Sequence, residues 1–321
     1  MDITLKQQFI ERWERYFPGA ELPITFYYTN DDEPAGTVPA GEGFRCFICD
    51  LASVRNGASR RFDASTIRCS GGRRYLGFET GLRPNFAYFL SCGIPGELEG
   101  ERYKQSPELV EEYLENHPVF EAPGRSILFK RWDQLDEEDD PAVAIFFAPP
   151  DVLSGLFTLA NFDEVDPQAV IAPFGSGCSS IVYQPYLELE AERPRAVLGM
   201  FDVSARPCVA SDVLTLSIPW PKFARMVGYM DESFLLAEGA DADGVRGRFG
   251  QCPDGRPSTT ATGGRAQRRR EAEQNGGERP GTTAGARHLD MLGSAELSTV
   301  AVLSCRIGSR RKCQAPGFSP G

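Results

Sequence analysis

An α/β (α+β) domain built on a mixed sheet with flanking helices is the fold this sequence predicts, on three observations. Short apolar runs rich in β-branched and aromatic residues recur at residues 24–28, 126–132, 142–148, 169–172, 196–201 and 214–219. Helical patterns alternate with them, and that alternation requires helices packed on a sheet. The core-forming residues then stop: beyond residue 238 the only aromatic residues are Phe249 and Phe318.

Taken in order, Ile3, Leu5, Phe9, Ile10, Trp13, Tyr16 and Phe17 mark an amphipathic helix over residues 3–17, ended by Pro18-Gly19. Residues 24–28 follow a proline and read as a strand. A loop carrying proline and glycine extends to Gly43. Residues 46–54 suit a helix closed by Asn56-Gly57. Ser106 caps the next helix, Pro107 takes its first position and Glu108 its first turn, and Leu109, Val110, Tyr113 and Leu114 carry it on. Residues 151–159 read as a helix after the strand at 142–148, and residues 178–189 read as another after 169–172. The acidic run 136–140 reads as a solvated loop. Residues 23–28 and 142–147 resemble each other, and the spacing of Cys46 and Cys69 nearly matches that of Cys178 and Met200. A weak internal duplication would bring turns of two halves to one site.

Charge divides the chain at the same place as aromaticity. The whole carries a formal charge of −11, yet from Gly239 onward basic residues outnumber acidic ones, so residues 1–238 hold all of the acidic excess. A domain of that length buries a sizeable core. Its acidity excludes nucleic acid and anionic membrane surfaces as partners. There is no run of 18 apolar residues for a spanning helix, and the polar start, Met-Asp-Ile-Thr-Leu-Lys, lacks a secretory signal. The expected location is cytoplasmic, where cysteines stay reduced. Residues 239–321 form a low-complexity tail rich in Gly, Arg and Pro, read as a disordered extension or the product of a frameshift.

Cysteine is the residue that could carry chemistry. Outside the tail His117 is the only histidine, and its Asn-His-Pro setting suits a helix end, which leaves little basis for a histidine triad or a histidine-ligated zinc. Cys46 and Cys49 form a CxxC, Cys69 precedes Ser70-Gly71-Gly72, and Cys178 follows Gly175-Ser176-Gly177 at the expected start of a helix. Free amides at such turns stabilise a thiolate. The four sulfurs of Cys46, Cys49, Cys69 and Cys178 are therefore the expected ligands of a metal centre, an iron–sulfur cluster ahead of zinc, with a redox or sensing role and a redox partner protein. Two alternatives stand beside it: a metal-free protein holding an anion or small ligand in the turns Ser70, Gly71, Gly72 and Ser176, Gly177, or a thiol-disulfide oxidoreductase using Cys46 and Cys49. Cys92 and Cys208 read as small buried hydrophobes. Arg45, Arg55, Arg68, Arg73, Arg74 and Arg206 lie near these cysteines in sequence and read as salt-bridge partners or as a local anion pocket.

Several of these phrases together resemble the DUF169 family of uncharacterised prokaryotic proteins. They are Arg45-Cys46 through Arg55-Asn-Gly57, Cys69-Ser-Gly-Gly72 with Leu76-Gly77, Phe89-Leu-Ser, residues 142–147, Ser176-Gly-Cys178, Leu198-Gly199 and Asp202-Val-Ser-Ala-Arg206-Pro207. The resemblance spans about residues 5–236 and implies an α/β fold in a cytoplasmic setting, with no established activity. It also implies that Cys46 or Cys49, Cys69 and Cys178 occupy the family's cysteine positions. Some relatives place a further cysteine near the position of Met200, so Cys49 would supply the fourth sulfur here.

Overall fold

The structure is a computed structural model that describes residues 1–31 and 43–236. These all belong to one compact unit, Met1–Pro257, and the expected tail lies outside the described residues. In chain order the elements are α1 (Ile3–Tyr16), β1 (Ile24–Thr29), α2 (Phe47–Asp50), α3 (Ala52–Arg55), β2 (Arg60–Phe62) and α4 (Ser70–Tyr75). Next come α5 (Phe86–Leu90), β3 (Gly93–Ile94), β4 (Leu98–Glu99), α6 (Pro107–Glu115), β5 (Ser126–Arg131), β6 (Val143–Ala148) and α7 (Pro150–Ala160). The last are β7 (Val170–Ile171), a π-helical turn (Ser179–Tyr183), α8 (Gln184–Leu187), β8 (Ala196–Gly199), β9 (Leu214–Pro219) and α9 (Trp220–Tyr229).

One mixed seven-stranded sheet, in the order β2-β5-β1-β6-β9-β8-β7, organises the unit. Its pairs are antiparallel except β7 with β8. Strand β6 shows why the sheet is sandwiched: all six of its residues are buried, which requires cover on both faces. Ala144, Phe146 and Ala148 meet a core that includes Phe9 and Trp13 of α1, Leu153 and Leu156 of α7, and Phe223 and Met226 of α9. Val143, Ile145 and Phe147 point the other way, into a second core with Phe47, Ile48, Leu51, Val54, Ile181 and Val182. Cys69 and Cys178 belong to this second core, and Cys46 and Cys208 pack against it.

Local sequence explains the element starts. Asp2 caps α1, its carboxylate accepting the Thr4 and Leu5 amides. Ser106 caps α6 through the Leu109 amide, with Pro107 in the first turn. The expected helix over 46–54 is instead two single turns, α2 and α3, joined at Leu51. Sequence patterning missed α9, which follows β9 with no loop and has Pro221 in its first turn. The strands β2, β3 and β4 and the helix α5 were also missed; each has five residues or fewer, too short to show a period. Residues 136–140 form the expected loop, with all but one residue exposed; the exception is Asp139, 2% exposed, whose carboxylate accepts from Lys130, the Tyr27 hydroxyl and the Asp136 amide.

The two similar segments are β1 and β6, antiparallel neighbours at the centre of the sheet, with Ile24 opposite Ile145 and Phe26 opposite Val143. The helices that follow them part company, α2 and α3 packing in the second core and α7 in the first. The likeness therefore covers the strands but not whole strand–helix units. Phe9 ties the first core together, its ring meeting Trp13, Trp132, Phe146 and Phe223 at centroid distances of 4.8–6.2 Å. Phe9→Ala is expected to cost about 3–5 kcal/mol of unfolding free energy by cavity formation, measured by chemical denaturation, with the secondary structure retained.

Candidate functional site

Three separate segments deliver free cysteines to the second core. Cys46 precedes α2, Cys69 caps α4 and Cys178 opens the π-helical turn. Cys69 and Cys178 are 7% and 5% exposed, whereas Cys46 is half-buried at the edge of the same cluster.

Glycine makes this approach possible. The Gly72 amide donates to the Cys69 sulfur at 3.3 Å, and a Cβ on Gly72 would sit 2.8 Å from both that sulfur and Ile67 Cγ2. A Cβ on Gly177 would press at 3.0 Å on Ala205, 3.2 Å on Ile48 and 3.3 Å on Met200 Sδ. Met200 lies against the site as the spacing suggests, and it holds a left-handed φ of 68°, uncommon for a residue with a side chain. Two groups steady it there: Ser180 Oγ accepts its amide at 3.3 Å, and Arg206 donates to its carbonyl at 3.4 Å.

Electrostatics separate the three thiols. A hydrogen bond from the Cys178 thiol, with the amides of Phe47 and Gly72, holds Cys69 down to about 6 against the opposing effects of burial and Asp50. Cys178 moves the other way, well above the ordinary thiol range, because it donates that hydrogen bond and is buried. The contact thus drives Cys69 towards the thiolate and Cys178 towards the protonated thiol. Burial also pushes Cys46 up, and nearby Cys69 and Asp202 reinforce it.

Cys49 departs from expectation. It is bonded to Cys208, 159 residues away, with a Cα–Cα distance of 4.9 Å, so it is not a free thiolate beside Cys46. Cys208, read as a small hydrophobe, is the residue missed, and nothing in its Arg-Pro-Cys setting signals a partner. Cys92 is corrected as well, being exposed rather than buried.

The glycine turns are occupied by the protein's own anions. Gly72 serves Cys69, and the Gly177 amide donates to Asp202 at 3.1 Å. Ser176 Oγ accepts the Ser179 amide, and Ser70 and Gly71 form the first turn of α4. Asp202, which opens the phrase ending at Pro207, also accepts from the amide and hydroxyl of Ser204. The arginines act as salt-bridge and carbonyl partners: Arg45 and Arg68 reach Asp50, Arg55 pairs with Glu21 and Arg73 with Glu79. Arg74 donates to the Thr80 carbonyl, and Arg206 to the carbonyls of Ala210, Ser211 and Val213. His117 closes the end of α6, its Nδ1 2.6 Å from the Tyr113 carbonyl oxygen.

The class of protein this defines is a two-core α/β domain with a cysteine cluster on one face of its sheet. The chain belongs to the DUF169 family, described as "Uncharacterised ArCR", whose model matches residues 20–228. No curated protein and no solved structure matches it. No helix among the described residues is long and apolar enough to cross a membrane.

Cys178→Ala removes the strongest donor to the Cys69 sulfur. The pH at which Cys69 is half-alkylated is expected to rise from about 6 by roughly one pH unit or more, followed by peptide mass spectrometry of iodoacetamide adducts. The depressed pKa of folded Cys69 contributes stability that is complete above the ordinary thiol pKa and fades as pH falls towards about 6. Gly72→Ala should overpack the same contact and lower stability by about 1–3 kcal/mol, read by chemical denaturation.

Proposed function

We propose that the protein is a thiol-based redox protein whose working pair is Cys69 and Cys178. One observation carries this reading: Cys69 and Cys178 are packed in one buried cluster with the Gly72 amide on the Cys69 sulfur, and their contact pushes the two thiols in opposite directions. A thiolate is the attacking species in disulfide exchange, and a neighbouring thiol resolves the product. The Cys69 thiolate attacks a disulfide brought within its reach, forming a mixed disulfide and expelling the other sulfur as thiolate. Cys178 gives up its proton to that leaving thiolate and attacks Cys69. The Cys69–Cys178 disulfide forms, and both sulfurs of the attacked disulfide are left reduced. This moves the reactive pair away from Cys46 and Cys49, because Cys49 is joined to Cys208.

A second reading keeps the cysteine-ligated metal or iron–sulfur centre expected from sequence. Its support is the soft donor set: Cys46, Cys69 and Cys178 share one core, and amides attend Cys69. Among the described residues no group of three or more His, Cys, Asp or Glu is already drawn together as a metal site.

Anaerobic purification separates the two. Under the first reading the protein is colourless, and mild oxidation with diamide links the Cys69 and Cys178 peptides in mass spectrometry. Bound iron with acid-labile sulfide, or stoichiometric zinc that protects Cys69 from alkylation, overturns it in favour of the second.

A further inference from the structure

Five of the six cysteines among the described residues gather at this face of the sheet, and they fall into two shells. Cys69 and Cys178 are almost closed to solvent, while Cys46, Cys49 and Cys208 are half-buried. A partner protein's disulfide therefore meets the outer three first, and the inner pair needs an intermediary. Cys46 occupies that position. The Cys49 amide bonds to the Cys46 carbonyl at 3.0 Å across the opening turn of α2, which places the two side chains one turn apart. Cys46 also packs into the same cluster as Cys69, Cys178 and Cys208.

We infer that Cys46 is a relay, carrying disulfide exchange between the Cys49–Cys208 bond and the inner Cys69/Cys178 pair. The inference rests on the redox reading of that pair. Each step exchanges one sulfur–sulfur bond for another. The Cys46 thiolate attacks Cys49, forming Cys46–Cys49; the Cys49–Cys208 bond breaks, and Cys208 leaves with the electron pair and takes up the proton that Cys46 lost. The Cys69 thiolate then attacks Cys46, and Cys49 leaves as thiolate. Finally Cys178 attacks Cys69, its proton passing to the Cys46 thiolate that departs. The sum oxidises Cys69/Cys178 and reduces Cys49/Cys208 by two electrons, with Cys46 returned unchanged.

The partner class is thereby narrowed to a dithiol/disulfide protein that docks at Cys49–Cys208. That bond also has a mechanical role, because it ties α2 to the turn Arg206–Cys208 beyond β8.

The test follows where the disulfide resides. Full-length protein carrying Cys49–Cys208 as its disulfide is held anaerobically, quenched in acid at intervals, alkylated and mapped by mass spectrometry. In the wild type the bond should migrate to Cys69–Cys178, and Cys46→Ser or Cys46→Ala should slow migration at least tenfold. Migration at the wild-type rate in both variants overturns the relay. Diamide oxidation of fully reduced wild-type protein distinguishes the two failures. If it forms Cys69–Cys178 while the Cys46 variants migrate normally, only the relay is lost; if it never forms that bond, the redox reading falls too.

Discussion

Contact between Cys178 and Cys69 drives the two thiols apart, the first towards its protonated form and the second towards the thiolate. It is made where water is excluded, so each donor acts at close to full strength and an unpaired thiolate would be costly. One proton between two sulfurs gives a nucleophile and a proton donor without a histidine, and His117 is engaged elsewhere by the Tyr113 carbonyl. Asp50 and Asp202 add negative charge that opposes a thiolate here, and it is offset in part because Arg45 and Arg68 attend the first and the Gly177 amide the second.

That contact depends in turn on how closely three chain segments can approach. Gly72 and Gly177 have no side chain at points where one would press within about 3 Å of sulfur, methyl or methylene groups. Met200 accepts a left-handed backbone to turn the chain beneath them, a conformation held by Ser180 and Arg206. Below, the buried central strands β1 and β6 supply a flat apolar floor through Phe26, Val143, Ile145 and Phe147. The face opposite the cysteines carries an aromatic core centred on Phe9.

Much of the architecture was legible from pattern. The six anticipated strands form within two residues of their expected bounds, because β-branched and aromatic runs bounded by Pro or Gly leave few alternatives. Helices with a cap and a full amphipathic period, α1 and α6, were equally plain. Short elements were not, and neither was Asp139, whose burial depends on Lys130 nine residues earlier and Tyr27 on another strand. Cys46, Cys69 and Cys178 could be singled out because glycine or a second cysteine stands beside each in sequence.

Residue order by itself determined the two-sided sheet, the acidic domain and which thiols have amides at hand, since each depends on neighbours within a few positions. Pairing was decided only in three dimensions. The CxxC spacing pointed Cys49 towards Cys46, yet β8 and the turn after it bring Cys208 across 159 residues to take it instead. Contact between distant segments depends on sheet order and on which face a helix covers. Neither quantity is written in local spacing, and so the charge state of the sulfurs emerges only once the chain has folded.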